Sequence, residues 1–145
     1  MSDEESREEF LREPNVAVLA TVGRGGRPHA APIWYLYEDG VFIMGTDSGS
    51  QKHRNVEANP EITLVIDRRT LPYYAVMAQG KAEIGPPLSD DQRMQMAVRY
   101  LGEELGRAYI ARTPMLGMVS RGMTIRLRPH KLIEYQGRAG RTESG

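Results

Sequence analysis

Short segments with alternating apolar and polar residues, separated by tight turns, constrain the fold of this chain more than any other feature. They are rich in β-branched and aromatic residues, which is typical of strands. Turns at Gly25-Gly26 and Asp39-Gly40 suit the positive φ angles of tight hairpins. Hairpin-joined strands are antiparallel, so the pattern predicts a mainly β fold, a small barrel of about seven strands with helical insertions. The segments are 15–22, 28–37, 41–46, 61–66, 73–84, 122–128 and 131–135.

Segment 28–37 has two prolines, Pro28 and Pro32, which cannot donate backbone hydrogen bonds. This predicts an edge or bulged strand. Its exposed backbone would then be available to something other than a neighbouring strand.

Two longer helices are predicted, one before the first strand and one between the strands 73–84 and 122–128. Residues 3–13 begin with acidic side chains and carry Phe10 and Leu11 as docking residues. Ser89 and Gln92 have the spacing of a capping box, which opens a helix predicted to run to about Leu105. Its predicted buried stripe consists of Met94, Ala97, Leu101 and Leu105.

The stretch from 50 to 60 predicts a short helix between two strands, with Ser48 or Ser50 as its N-cap and Asn59-Pro60 as its end. Lys52, His53 and Arg54 fall in its predicted first turn, where acidic residues are the usual occupants. Cations at a helix N-terminus, with backbone N–H groups and a serine hydroxyl, suit a phosphate or carboxylate. A solvated basic turn is the alternative, and the residues alone leave both open.

Composition bounds the possible functions. The chain has 145 residues, with 19 basic and 19 acidic side chains, so no net charge draws it to nucleic acid or to a membrane surface. Cysteine is absent, which excludes thiolate chemistry, and His29, His53 and His130 show no metal-site spacing. The acidic first residues lack a signal-peptide pattern, so a cytoplasmic location is expected.

One domain over residues 1–136 is expected, followed by a disordered tail at 137–145. Residues 106–121 are poorly patterned and predict a loop that covers a site. The sequence has no G-x-S-x-G nucleophile motif and no pattern of a catalytic triad. One anion site without an evident acid, base or nucleophile points to chemistry carried by an organic cofactor.

The order of elements between about 16 and 84 resembles a known family. The carrying residues are Pro32 to Tyr35 in a P-x-W-Y pattern, the Asp39-Gly40 turn, a strand that ends in Gly45-Thr46, and S-x-K-x-R-N at 50–55. They are similar to the flavin-binding split β-barrel of the pyridoxamine 5′-phosphate oxidase-like superfamily, in particular its deazaflavin-dependent branch. The resemblance implies a split β-barrel and a homodimer with the cofactor at its interface.

The resemblance also implies roles for individual residues. Those along the cofactor ring and ribityl chain would be Pro32, Ile33, Trp34 and Tyr35, with Gly45 and Thr46 near the phosphate end. Those at the phosphate would be Ser50, Gln51, Lys52 and Arg54, and Asn55 completes the matching motif. Gln79, on the implied interface strand, would approach the cofactor of the other protomer.

Three functions follow from the resemblance. The first is an oxidoreductase that uses coenzyme F420 to transfer hydride to a small unsaturated or quinone-like acceptor, with Tyr35 and Tyr37 as candidate proton donors. The second is an FMN-dependent oxidoreductase. The third is a non-catalytic flavin or haem carrier or sensor, for which the three histidines are the available axial ligands. Vitamin B6 oxidation is not expected, because Arg128-Pro129-His130 only faintly matches the substrate-binding segment of the oxidases.

Overall fold

A computed structural model describes residues 3–112, 122–136 and 141–144 of the chain. Within these ranges, the helices are α1 (Asp3–Arg12), α2 (Gln51–Ala58), α3 (Asp90–Leu101) and α4 (Glu103–Arg112). The strands are β1 (Ala17–Val22), β2 (Pro28–Ile33), β3 (Leu36–Glu38), β4 (Val41–Asp47), β5 (Glu61–Asp67), β6 (Tyr74–Gly85), β7 (Gly122–Leu127), β8 (Lys131–Gln136) and β9 (Arg141–Ser144).

The strands form one antiparallel sheet that divides along its longest strand. The order is β2-β1-β5-β6-β7-β4-β3, and β8 pairs with β6 and with β9. Residues 74–79 of β6 pair with β8, whereas residues 82–85 pair with β7. Because β6 has different neighbours along its length, the sheet curls into a split β-barrel, which confirms the predicted fold class.

Apolar side chains from both halves of the sheet fill the barrel. Leu19, Leu64, Val76 and Leu127 are completely buried and belong to one core cluster. Phe10 and Leu11 of α1 join this cluster, with 2% and 0% exposure, which confirms their predicted docking. Helix α1 therefore closes the barrel against the sheet.

The hairpins at the start of the chain form where the sequence predicts them. Gly26 and Gly40 both have a φ of +77°, the conformation that glycine adopts without strain. Strand β2 pairs with β1 and ends the sheet, as its prolines predict. The prediction of one strand over 28–37 is wrong, because Trp34 and Tyr35 separate β2 from β3.

The long helix predicted from Ser89 is two helices. Its capping box is confirmed: Gln92 N donates to Ser89 Oγ over 3.1 Å, and Ser89 N donates to Gln92 Oε1 over 3.0 Å. The helix stops at Gly102, whose φ of +87° breaks the helical path, and α4 follows. The predicted buried stripe fails at Leu105, which is 64% exposed.

The predicted loop and tail also differ from the structure where it describes them. Residues 106–112 belong to α4, whereas 113–121 of the predicted loop lie outside the described residues. Residues 141–144 of the predicted tail form β9 against β8, and 137–140 and 145 lie outside the described residues.

Candidate functional site

A cavity of about 510 Å³ lies between the sheet and the helices α2, α3 and α4. Its volume is within the range of small-molecule sites, about 300–1,000 Å³. From the sheet side it is bordered by Val16, Pro32, Ile33, Trp34, Gly45, Thr46, Asp47, Gly122 and Met123. From the helix side it is bordered by Ser50, Lys52, Pro87, Leu88, Arg93, Met96, Ala97, Tyr109 and Ile110.

The polar end of the cavity, formed by Thr46, Asp47, Ser50 and Lys52, lies where β4 gives way to α2. Ser50 is the N-cap of α2: its Oγ accepts from His53 N over 3.2 Å and lies 2.8 Å from Thr46 Oγ1. The first turn of α2 has no acidic residue. The helix dipole and Lys52 therefore favour an anion here, although Asp47 adds one negative charge nearby.

The three predicted cations of α2 separate in the structure. Lys52 borders the cavity and is half-buried. Arg54 instead donates to Gly49 O over 2.9 Å and to Gln51 Oε1 over 2.8 Å. His53 accepts from Gly49 N at Nδ1 over 2.9 Å, so this ring nitrogen is an acceptor. Among these three, Lys52 is the residue placed to contact a ligand in the cavity.

The aromatic wall of the cavity is formed by residues 32–34, at the end of β2 and the start of its connection to β3. The Trp34 ring stacks on the ring of Tyr100 from α3, with 4.7 Å between centroids and 11° between planes. Met96 and Leu88 pack with them in a small apolar cluster. An aromatic and apolar surface of this kind suits a planar organic ring.

The structure brings seven of the twelve sequence-predicted site residues together at this cavity: Pro32, Ile33, Trp34, Gly45, Thr46, Ser50 and Lys52. Gln51, Arg54 and Asn55 border a second crevice with Arg24 and Glu57, along the outer side of α2. Binding of a cofactor by any of the twelve stays a prediction.

Tyr35 belongs to the core and does not border the cavity. It is fully buried, and its hydroxyl donates to Leu11 O over 2.9 Å. Burial raises the pKa of Tyr35 well above its usual range. Burial, and then the hydrogen bond to Glu8, raise the pKa of Tyr37 in the same direction. Both hydroxyls donate hydrogen bonds to residues of α1, so neither is placed as a proton donor at the cavity.

Asn55 connects α2 to the sheet. It is 3% exposed, donates through Nδ2 to Thr21 Oγ1 over 3.0 Å, and accepts at Oδ1 from Gln51 over 2.7 Å. A Cβ on Gly23 would lie 3.0 Å from the same Oδ1, so the β1–β2 turn also closes over this amide. In this chain the side chain of Asn55 therefore fixes the position of α2.

Gln79 lies on β6, away from the residues that border the cavity. Its side-chain Nε2 donates to Thr63 Oγ1 over 3.4 Å, and its backbone carbonyl accepts from His130 N over 2.9 Å. The role that the resemblance implies for Gln79 requires a second protomer, and it stays a prediction together with the homodimer.

Sequence analysis missed the wall contributed by α3, and it predicted a loop over the site where α4 borders the cavity. Arg93, Met96 and Ala97 are buried on one face of α3, and Tyr109 and Ile110 of α4 lie beside them. The apolar spacing of α3 was interpreted as core packing alone, and nothing in the spacing distinguishes a core from a cavity wall. Arg93 carried a signal, because its charge falls within the apolar face of an amphipathic helix.

The donors present fit a phosphorylated flavin-type cofactor. Lys52, the Ser50 hydroxyl and the start of α2 provide a cation, a polar side chain and a positive dipole at one end. The other end is apolar and aromatic. At Gly45 a Cβ would lie 3.0 Å from Leu88 Cδ1, so a larger residue would narrow the cavity between its two ends.

Other kinds of site have less support within the described residues. No group of three or more potential ligands could hold a metal ion there. None of the three histidines borders the 510 Å³ cavity, so the haem alternative gains no axial ligand from it. None of the described helices is long and apolar enough to cross a membrane.

Residues 3–132 match the family model described as pyridoxamine 5′-phosphate oxidase. The chain belongs to this family. Members of this family bind FMN or F420, which supports a flavin-type cofactor here. A pyridoxine/pyridoxamine 5′-phosphate oxidase of Rubrobacter xylanophilus is 33% identical over 104 residues, which are 71% of this chain and 46% of that protein. The chain spans less than half of the length of this oxidase.

Two further proteins indicate the breadth of the family. A 5a,11a-dehydrotetracycline/5a,11a-dehydrooxytetracycline reductase of Streptomyces rimosus is 32% identical, over 61% of this chain and 68% of that protein. A solved structure named F420 reductase superposes with a TM-score of 0.72 at 25% identity, over 86% of this chain and 94% of that one. Both names are those of reductases.

Proposed function

We propose that this protein is an oxidoreductase that binds coenzyme F420 in the 510 Å³ cavity and transfers hydride to a small unsaturated or quinone-like acceptor. The observation that carries the proposal is a single cavity with an aromatic wall at residues 32–34 and a cationic helix start at Ser50 and Lys52. This arrangement matches a planar ring joined to a phosphate.

When bound, a reduced deazaflavin supplies the hydride. The chain would supply binding and orientation: Lys52 and the start of α2 would hold the phosphate, and Trp34 with residues 32–33 would lie along the ring. Met96, Ala97 and Leu88 exclude water from the opposite side. Because the hydroxyls of Tyr35 and Tyr37 are bound to α1, the proposal assigns neither of them as the proton donor.

Two comparisons support the deazaflavin. The F420 reductase structure is 25% identical to this chain and matches over 86% of this chain and 94% of its own. The dehydrotetracycline reductase acts, by its name, on a substrate with extra unsaturation, which is the acceptor class of the proposal.

FMN is the second candidate cofactor. It is favoured by the match of residues 3–132 to the oxidase family. Its phosphate and ring require the same features of the cavity as F420, a cationic end and an aromatic wall. A homodimer with the cofactor at its interface, and Gln79 at the partner's cofactor, belong to the proposal with either cofactor.

Fluorescence titration of the purified protein tests the proposal. Trp34 is the one tryptophan of the chain, and it borders the cavity. A bound flavin or deazaflavin quenches its emission. Micromolar or tighter binding of F420 with weaker binding of FMN is the expected result, followed by oxidation of reduced F420 when the quinone menadione is added. The reverse order of affinities favours the FMN alternative, and binding of neither overturns both.

A further inference from the structure

The chain between β2 and β3 is held in place by one side chain from α3. Residues 34–35 interrupt the edge of the sheet, between the pairs Ile33–Ala17 and Leu36–Ile43. Tyr35 N donates to the hydroxyl oxygen of Tyr100 over 3.1 Å. The backbone polar group is thereby satisfied by a residue 65 positions away along the chain.

The same hydroxyl reaches a third segment. Tyr100 Oη lies 3.0 Å from Asn15 O, to which it donates, and 3.3 Å from Tyr35 O. Asn15 lies between α1 and β1. One phenol therefore joins α3 to the entry of β1 and to the break between β2 and β3, next to the cavity.

The ring of Tyr100 acts on the cavity wall itself. It stacks on Trp34, which borders the cavity, with 11° between the ring planes. The Arg99 guanidinium also packs against Tyr100, 5.3 Å from its ring centroid. The guanidinium is itself held in place, because it donates to Arg12 O over 2.6 Å and to Glu13 O over 2.7 Å. The hydroxyl of Tyr100 thus holds the backbone of Tyr35, and its ring holds the side chain of Trp34.

We propose that Tyr100 is a positioning residue of the cofactor site, which orients Trp34 and the 33–35 backbone as a rigid surface for the ring of the cofactor. The assignment of the ring to this wall rests on the proposed function. The orientation of Trp34 by Tyr100 does not, and it can be tested in the ligand-free protein.

Three full-length variants separate positioning from general stability. Tyr100→Phe keeps the stacked ring and removes the hydroxyl, and Tyr100→Leu removes both. Tyr37→Phe is the matched control, because it also removes a tyrosine hydroxyl that makes a hydrogen bond, here to Glu8, and it does not border the cavity. Far-ultraviolet circular dichroism establishes that each variant is folded.

The ligand-free test is quenching of Trp34 emission by acrylamide. We expect the quenching constant to rise about twofold in Tyr100→Phe and further in Tyr100→Leu, with no change in Tyr37→Phe, because only the first two loosen the wall. Quenching in Tyr100→Phe equal to that of the wild type overturns the positioning role. If Tyr100→Leu does not fold, the phenylalanine variant alone decides.

The ligand test uses two probes that share a ring and differ in the phosphate, FMN and riboflavin, or F420 and its chromophore without the phosphate-bearing tail, whichever pair the wild type binds. Tyr100→Phe should weaken both members of the pair by the same factor, about tenfold. Lys52→Ala should weaken only the member with the phosphate. A loss in Tyr100→Phe confined to that member contradicts the positioning of the ring. If the wild type binds neither pair, the proposed function fails, and the acrylamide result still decides the role of Tyr100.

Discussion

The two ends of the cavity are built in different ways. At the polar end the hydrogen bonds are local: Thr46 to Ser50, Ser50 to His53, and Gly49 to His53 span three or four positions. At the aromatic wall they are distant, because Tyr100 reaches Tyr35 across 65 positions and Asn15 across 85. The polar end can therefore form with its helix, whereas the wall exists only when α3 has docked on the sheet.

This difference has a functional consequence. A local structure fixes the charge pattern around a phosphate with few long-range contacts, since a helix start provides it. A rigid surface for a ring requires packing from outside the strand that carries it. Loss of the Lys52 charge at the polar end should weaken binding of the phosphate, whereas changes at the wall should weaken binding of the ring and lower stability together.

The largest expected effect is at the polar end. Lys52→Ala should weaken binding of the phosphate-bearing cofactor by about 10- to 100-fold, because a hydrogen bond to a charged group contributes about 1.5–3 kcal/mol. Arg54→Ala is the matched control on the same helix and should change the affinity by less than about threefold, since its guanidinium is exposed and bound to Gly49 O and Gln51. Equal losses in titrations of the two variants would contradict the separation of these cations.

Helix α2, which begins at the polar end, is bound to β1 through the buried side chain of Asn55. Asn55→Ala should lower the free energy of unfolding by about 1–3 kcal/mol, because it leaves the buried Thr21 hydroxyl without this partner. Urea denaturation measures the loss. Thr21→Val and the double variant complete a cycle, in which the combined loss should be smaller than the sum. Strict additivity would show that the bond between α2 and β1 contributes nothing.

Alkaline pH should lower the free energy of unfolding through Tyr35, which is buried in the core next to the aromatic wall. Burial raises the pKa of Tyr35 in the folded protein, so the folded state binds more protons than the unfolded state above about pH 10. The free energy of unfolding should therefore fall as pH rises, by about 1.4 kcal/mol per pH unit for this residue. Denaturation between about pH 9 and pH 11 should give a shallower slope in Tyr35→Phe. Tyr135→Phe, at an exposed position, controls for the loss of a phenol as such. Equal slopes of the free energy of unfolding against pH in Tyr35→Phe and the wild type would contradict the prediction.

The smallest expected effect is that of the helix cap. Ser50→Ala should lower the free energy of unfolding by about 1 kcal/mol, the usual contribution of an N-cap serine. Ser48→Ala, the other N-cap candidate, is exposed and should change it by less than about 0.5 kcal/mol. Thermal or urea unfolding compares the two. A larger loss from Ser48 would place the start of α2 elsewhere.

Sequence patterns predicted what short-range physics decides. Residue types and spacings within a few positions predicted the cap of α2 at Ser48 or Ser50, its end at Asn59, the capping box at Ser89 and an edge or bulged position for β2. The split barrel follows from the order of hairpins and from the resemblance. These features need no knowledge of distant partners.

What sequence analysis missed depends on distant contacts or on direction. Trp34 and Tyr35 are strand-type residues, and their separation of β2 from β3 accompanies a bond to Tyr100 that no local pattern reveals. Arg54 has the same charge as Lys52, but two positions along a helix turn it away from the cavity. The wall formed by α3 was predicted as core, because an apolar helix face has the same spacing in a core and in a cavity wall.

The most direct test of the central claim is the affinity of the wild-type protein for a cofactor with and without its phosphate. Trp34 emission, or the emission of the ring itself, gives both dissociation constants for FMN against riboflavin and for F420 against its tail-free chromophore. If one cavity holds the ring at its aromatic wall and the phosphate at the start of α2, the phosphate-bearing member binds at least about tenfold more tightly. Equal affinities for the two members would contradict the account.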